Sequence, residues 1–298
     1  MNLDQLRCVV ALAEELHFAR AARRLGLQQP QLSRRLRRLE DELGVELFER
    51  TTREVRITPA GRAFAEDARR SLEHADRAAR NARQVGRGEV GRLAIGFVGS
   101  AANTLLPPVL RRFRGRYPGV ELDLRELPSV RQAEELVTGG LDVGILHAPV
   151  TGAARDVLAT REFARGPLLA LLPAGHPHAH RDPLPVTDLA DEAFVLFPRD
   201  LGLGLHSRVL QVTRAAGFEP RVVQEAVQMQ TIVGLVAAGM GVSIVPWTVA
   251  AGARRDDVVF RRLSPEARDA PLLLAWRRAD TGPVLRNFRA VTGPPPER

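Results

Sequence analysis

The stretch Gln28-Gln29-Pro30-Gln31-Leu32-Ser33-Arg34-Arg35-Leu36-Arg37-Arg38-Leu39-Glu40 decides how the first domain is read. Leu32, Leu36 and Leu39 recur at i, i+4, i+7, so a helix here buries one apolar face and turns guanidinium groups outward. Gln29, Gln31 and Ser33 gather at its start. Pro30 is tolerated in the first turn, where its missing N–H has no partner anyway. A helix apolar behind, cationic along its flank and amide-rich at its tip suits the DNA major groove. Arg34 can donate two bonds to guanine or hold a phosphate, and Pro30 can touch a thymine methyl. Arg35 and Arg38 keep two readings: phosphate contacts, or ion pairs with Glu40 and Asp41.

Working outward, Asn2 and Gln5 form a capping-box pattern that opens a first helix, with Leu3, Leu6, Val10 and Ala13 facing inward. A second helix covers about 18–25 and ends at Gly26-Leu27. Helix, tight turn and basic helix make a helix-turn-helix. Gly44 stops the third helix. Residues 47–50 and 55–58 read as two short strands, with 51–54 between them as a wing. Thr58-Pro59 then starts a long helix to about residue 85. In it Phe64, Ala68, Leu72, Ala75, Ala79 and Ala82 approximate a heptad seam. The seam could pack on its own domain; being narrow, alanine-rich and flanked by charge, it favours pairing with a second copy. Gly86, Gly88 and Gly91 read as a flexible joint.

The 298 residues are enough for two sizeable cores. All 43 basic residues are arginine, and the formal net charge is +8. The first 88 residues hold 18 arginines against 13 acids, which places the polyanion-facing end at the N-terminus. One cysteine, Cys8, excludes an internal disulfide framework and fits a reducing compartment. The N-terminal residues lack a signal-peptide pattern, and no apolar run approaches the ~20 residues of a membrane span. The expectation is a soluble, cytoplasmic protein.

From residue 93 onward, strands and helices alternate. Residues 93–98, 120–124, 141–146, 168–172, 194–197, 242–245 and 272–275 read as strands. Residues 105–116, 130–138, 229–238 and 284–291 read as helices. The alternation implies an α/β architecture with largely parallel sheets.

The residues then become specific. Phe18-Ala19-Arg20-Ala21-Ala22-Arg23-Arg24-Leu25, Gln29-Pro30, Leu32-Ser33-Arg34, Leu39-Glu40, Leu43-Gly44, Leu47-Phe48-Glu49-Arg50 and Thr58-Pro59-Ala60-Gly61 closely resemble the N-terminal signature of LysR-type transcriptional regulators. The phrase from Gly234 to Pro246 resembles that family's effector-domain pattern. Two departures are Gln28, where the family usually has a capping serine, at a cost of ~1 kcal/mol, and Glu54, where the wing often has glycine.

The resemblance implies a winged helix-turn-helix over 1–58, a linker and dimerisation helix over 59–90, and a two-lobed α/β effector domain over 91–298. That domain should resemble periplasmic binding proteins, with lobe one at 91–162 and 268–298 and lobe two at 163–267. Dimers through the linker helix, and tetramers built from them, follow from the same likeness. Carried over by position, Gln29, Pro30, Gln31, Ser33 and Arg34 meet the major groove, and Arg53 in the wing meets the backbone or minor groove. The expected partners are double-stranded DNA, RNA polymerase and a small-molecule effector, with no cofactor, metal or membrane.

The effector site has two anchors. The small-residue loop Gly99-Ser100-Ala101-Ala102-Asn103 after the first strand exposes N–H groups that suit a carboxylate. Ser129 precedes a second helix in Pro128-Ser129-Val130. Both serines can also be read as simple N-caps. The resemblance is strongest to the branch that responds to products of aromatic-compound breakdown, and it implies effector-carboxylate contacts at these positions. Ala101, His147, Phe197, Leu203, Leu205 and Met229 are carried over as further effector-binding residues. That branch often has arginine where this chain has His147, and the apolar positions suggest a ligand with a hydrocarbon or ring portion.

An enzyme is the rival class. His176, His178 and His180 form a His-x-His-x-His run, but no matching cysteine or carboxylate cluster accompanies it, which favours a solvated loop. Cys8 lies among apolar neighbours and reads as a buried thiol rather than a nucleophile. No P-loop, Gly-x-Gly-x-x-Gly or Gly-x-Ser-x-Gly phrase occurs. A transport-type solute-binding protein would share the two lobes, but it would need export and would not spend 88 residues on a basic module. The expectation is not an enzyme.

Overall fold

The computed structural model describes residues 1–50, 54–201, 203–253, 255–268 and 271–293. The chain divides into two compact units, Met1–Gln84 and Val85–Arg298.

In the first unit, α1 (Leu3–Glu15), α2 (Phe18–Arg24) and α3 (Gln29–Leu43) precede strands β1 (Phe48–Arg50) and β2 (Val55–Ile57). Helix α4 (Pro59–Arg87) follows. Asn2 and Gln5 close a reciprocal capping box on α1. Gly26, with φ of 65°, turns the chain between α2 and α3 in the left-handed region that glycine adopts without strain. Leu32, Leu36 and Leu39 are fully buried and pack with Val9, Leu12, Ala21 and Phe48. Strands β1 and β2 pair antiparallel, Phe48 opposite Ile57 and Arg50 opposite Val55. At the start of α4, Thr58 Oγ1 accepts from the Gly61 amide at 2.9 Å. Gly61 itself presses on the Leu47 carbonyl, which a Cβ would overlap.

The α4 seam divides. Ala65 and Ala68 are buried and Phe64 packs against the helix-turn-helix core, whereas Ala79 and Ala82 are exposed. The near half of the seam packs on its own domain, and the far half is exposed.

The second unit has two lobes. The first contains β3 (Val90–Phe97), α5 (Gly99–Ala102), α6 (Leu106–Arg116), β4 (Gly119–Glu126), α7 (Ser129–Thr138), β5 (Val143–His147), α8 (Ala154–Val157) and β6 (Leu158–Ala164). The second contains β7 (Leu168–Pro173), β8 (Leu184–Pro185), β9 (Ala193–Leu196), α9 (Leu203–Ala215), β10 (Arg221–Glu225), α10 (Met229–Ala237), β11 (Ser243–Pro246), α11 (Trp247–Gly252) and β12 (Val258–Ser264). The chain returns to the first lobe as β13 (Leu272–Arg277) and α12 (Pro283–Val291).

The first-lobe sheet has the order β4-β3-β5-β13-β6. Strand β3 runs parallel to β4 and β5, but β13 is antiparallel to both β5 and β6. In the second lobe, β7 is antiparallel to β11 and β12. The expectation of largely parallel sheets is corrected to mixed ones. The chain crosses between lobes twice, and the returning strand β13 enters the first sheet antiparallel to its neighbours β5 and β6. The two crossings run side by side at the Pro167–Arg268 bridge. Phe163 and Ala164, placed with lobe two from sequence, pack in the first-lobe core with Ile95, Leu274 and Phe288.

Of the three glycines expected to form a flexible joint, Gly88 and Gly91 are closely packed, whereas a Cβ on Gly86 would meet open space. A Cβ on Gly88 would stand 2.6 Å from the Pro283 carbonyl carbon, and one on Gly91 3.3 Å from Val284 Cγ2. These glycines permit close packing of β3 against α12, and Asn287 Nδ2 donates to the Arg87 carbonyl at 2.8 Å.

Candidate functional site

Two sites arise, one in each unit. In the first, α3 turns Gln29, Pro30, Gln31 and Arg34 to solvent and half-buries Ser33. Gln31 Oε1 accepts from the Gln28 amide at 3.1 Å. Its Nε2 hydrogens point away from that bond, and the start of α3 is held without a capping serine. Arg34, Arg37 and Arg38 are exposed and have no ion-pair partner among the described residues. Arg35 is different: its Nη1 lies 3.6 Å from Asp4 Oδ2 on α1. The ion pairs expected with Glu40 and Asp41 are thus corrected for Arg35. Glu40 instead accepts the Leu47 and Phe48 amides at 2.9 and 3.2 Å, fixing the entry to β1. Arg53 lies outside the described residues. Glu54 pairs with Arg56 at 2.8 Å.

Burial pushes the Cys8 thiol pKa up, with the nearby Arg35 opposing. A thiol held in its neutral form is a poor nucleophile. His176 Nε2 lies 3.1 Å from Glu192 Oε1, and His176 Nδ1 accepts from the His178 amide at 3.1 Å, so this loop is tied to itself. Among the described residues no group of three or more His, Cys, Asp or Glu is placed to hold a metal ion. No described helix is long and apolar enough to cross a membrane.

In the second unit, a cleft opens between the lobes. The first lobe contributes Ser100 from α5, Ser129 from α7 and His147 from the end of β5. The second contributes Phe197, Leu201, Leu205 and Met229. Ser100 Oγ lies 3.2 Å from His147 Nε2 in a buried contact, and Ser129 Oγ accepts the His147 amide hydrogen at 3.1 Å. Neither serine is an N-cap, because Val98 and Pro128 occupy those positions. Both hydroxyls are set on His147 instead. The first amides of α7 have no partner within the helix, so this wall carries hydrogen-bond donors, and the facing wall is apolar except for Gln228. Space open to a water molecule's centre amounts to about 50 Å³, room for roughly three to five waters. The lobes touch beside it: Gly204, in the first turn of α9, lies on the Ala148 carbonyl so closely that a Cβ would overlap it.

Of the carried-over positions, Ser100, Ser129, His147, Phe197, Leu205 and Met229 converge on this cleft. Ala101 does not line it, which corrects its placement: its side chain is fully buried in the lobe-one core, and its amide is spent on the Val98 carbonyl at 2.9 Å. The Leu203 side chain lies outside the described residues. Glu126, Leu201 and Gln228 also line the cleft and were missed. Glu126 sits three residues before Ser129, so following the 120–124 strand to its end would have found it. A separate open groove along α7 and α8 shares Ser129 and His147 and is lined otherwise by residues of the first lobe, among them Val130, Glu134, Thr138, Pro149 and Thr151, and by Gly204.

Comparison with known proteins matches both units. Residues 3–62 match the domain described as "Bacterial regulatory helix-turn-helix protein, lysR family", and residues 86–293 the "LysR substrate binding domain". The HTH-type transcriptional regulator AlsR of Bacillus subtilis (strain 168) is 38% identical over 97% of this chain and 94% of its own. The crystal structure of CbnR, a LysR family transcriptional regulator, superposes with a TM-score of 0.86 at 31% identity, covering 98% of this chain and all of that one. Full-length CbnR complexed with its target DNA superposes with a TM-score of 0.81 at 30% identity, covering 98% and 100%. Matched in both units and along almost its whole length, the chain belongs to the LysR family: it is a DNA-binding transcriptional regulator with an effector-binding domain.

Proposed function

We propose that this regulator reads its operator through Gln29, Pro30, Gln31, Ser33 and Arg34, with Arg53 on the backbone or minor groove, and answers to one small carboxylate. The observation that carries the effector reading is the convergence of Ser100, Ser129 and His147 on one cleft whose far wall is mostly apolar. Two hydroxyls and the open amides of α7 suit a single carboxylate, and Phe197, Leu205 and Met229 suit its hydrocarbon part.

Products of aromatic-compound breakdown remain the source suggested by the resemblance. A ring-cleavage diacid fits less well than a monoacid, because the described lining offers no arginine and already contains Glu126.

The regulation we envisage follows from the lobes. A dimer joined through α4 presents two recognition helices to successive major grooves, and a dimer of dimers spans two sites and bends the DNA between them. An effector that binds the closed lobes more tightly shifts the population of assemblies, relaxes the bend and lets RNA polymerase engage.

Thermal shift of the full-length protein against small carboxylates tests the effector reading. A ligand at about 100 times its Kd adds roughly 2.7 kcal/mol, which is about 5–10 °C for a domain of this size. A shift that Ser100→Ala plus Ser129→Ala removes supports the site. No shift with any carboxylate overturns it.

A further inference from the structure

Glu126 is the one acidic side chain on the cleft's described lining; it is exposed to solvent, and the described lining holds no cation beside it. Its Oε1 stands 2.6 Å from the position a Cβ on Gly99 would take, so Gly99 makes the room that the carboxylate fills. From the opposite lobe, the Gln228 amide reaches to 3.6 Å of the same point. The neighbouring Arg125 is committed elsewhere, at 2.7 Å to Asp123 and 3.6 Å to Glu135. Among the described residues Glu126 has no ion-pair partner. A ligand carboxylate here meets the hydroxyl wall on one side and an anion beside Gly99, the residue that precedes Ser100, on the other.

That juxtaposition selects for opposite charges held close together. With the imidazole proton on Nε2, His147 donates to Ser100 and the Ser100 hydroxyl hydrogen turns to the ligand; Ser129 already accepts from the His147 amide and has its own hydrogen to give. Donors therefore stand at Ser100 and Ser129, and an acceptor stands one residue from Ser100. A compact molecule that carries both a cationic donor and a carboxylate, as an α-amino acid does, can meet both groups at once. A diacid, or an acid whose charge lies far from its donor, cannot. The small volume and the facing Phe197, Leu205 and Met229 limit the remainder to a short aliphatic group.

Resting on the reading that this cleft is the effector site, we propose that the effector is a small aliphatic α-amino acid bound as its zwitterion. Its ammonium is held by Glu126 and its carboxylate by the Ser100 and Ser129 hydroxyls. Because Gln228 comes from the second lobe, the ammonium also gives the two lobes a common contact and favours their closure.

The test is calorimetric titration of the full-length protein with L-alanine, L-valine and L-leucine. Each is compared with its deaminated acid (propanoate, isovalerate, 4-methylpentanoate) and with succinate as a diacid. The expected result is a fit for one or more amino acids at least tenfold tighter than for its deaminated partner, with succinate weaker still. In Glu126→Gln, which keeps the side-chain shape, the amino acid should lose tenfold or more while the deaminated acid holds or gains; an unchanged ligand-free melting temperature controls for folding. The proposal is overturned if Glu126→Gln leaves amino-acid affinity unchanged, if the deaminated acid or succinate binds as tightly, or if no amino acid binds. Deaminated acids that bind in a Ser100-dependent and Glu126-independent way would sink this inference and leave the carboxylate reading standing. No binding by any carboxylate would sink both.

Discussion

Ser100 Oγ lies 3.2 Å from His147 Nε2, so a buried side-chain hydrogen bond joins the short helix after β3 to the last residue of β5. Ser100→Ala removes one partner of a buried imidazole, a change that costs about 1–3 kcal/mol. The same substitution takes away a donor to the proposed ligand. The ligand-free protein should therefore melt earlier, and the carboxylate-induced shift should vanish. Ala101→Gly, one residue on but facing the core, should lower the melting temperature and keep the shift. Equal retention of the shift in both variants would remove Ser100 from the site.

On the DNA-reading helix, exposure separates arginines that sequence treats alike. Arg34 is exposed beside Gln31 and Ser33, whereas Arg35 is half-buried and paired with Asp4. Arg34→Ala should weaken operator binding by about 1–3 kcal/mol if it reads a base. If it holds a phosphate instead, binding should weaken alike on all sequences, and the salt slope should fall by about one. Arg35→Ala should act chiefly on stability. Binding curves at several salt concentrations, on operator and on unrelated DNA, separate these outcomes; unchanged binding by Arg34→Ala would exclude its proposed role.

Two glycines of α4 make a stringent pair. Replacing a helix-interior glycine by alanine ordinarily gains up to about 1 kcal/mol. At Gly86 a Cβ meets open space, and Gly86→Ala should realise that gain. At Gly61 a Cβ overlaps the Leu47 carbonyl, and shifting backbone in a packed region costs about 1–3 kcal/mol, more than propensity returns. Gly61→Ala should destabilise the first unit. Denaturant melts of both variants decide it, and a stabilised Gly61→Ala would refute the close approach.

Glu14 ties three helices of the first unit together. Its carboxylate lies 3.1 Å from Arg69 on α4 and 2.6 Å from Arg24 on α2, and these bonds, Arg69 first, hold its pKa below the ordinary glutamate value. A depressed carboxyl contributes its stability in full above the unfolded-state pKa and loses it as pH falls through the folded value. Being partly solvated, the cluster contributes under about 1 kcal/mol. Glu14→Gln should cost that amount at neutral pH and nothing at strongly acidic pH, so the two pH–stability curves should converge on acidification. Parallel curves would show that Glu14 does not titrate with folding.

The first unit was legible because each of its signals is local: a leucine period, a capping box and a glycine turn. The second unit's frame was partly so. Strands buried on both faces, such as 93–98 and 168–172, announce themselves as apolar runs. Strand β10, Arg221–Glu225, is exposed throughout, and β12 carries Arg261-Arg262 in its centre, so neither has an apolar period to read. The antiparallel return of β13 depends on two crossings between lobes, which no short window encodes. Ser100, Ser129 and His147 were placed by resemblance; Glu126 lies two residues beyond the strand read as 120–124, and its place beside Gly99, 27 residues earlier in the chain, emerges only in the fold.

The proposed pairing of two copies through α4 can be tested on its far half. Leu72 and Ala75 are half-buried and Ala79 and Ala82 exposed, all on the stripe that continues from buried Ala68. Small residues on a heptad seam let two helices approach closely, and charges placed there would be desolvated without partners. Leu72→Glu with Ala79→Glu should therefore dissociate the dimer while leaving the ligand response of the second unit in place. Operator affinity should fall steeply, because each half-site must then be found by a separate chain. Sedimentation velocity on the double variant reads the assembly directly. A dimer of unchanged stability would place the pairing surface elsewhere than on this seam.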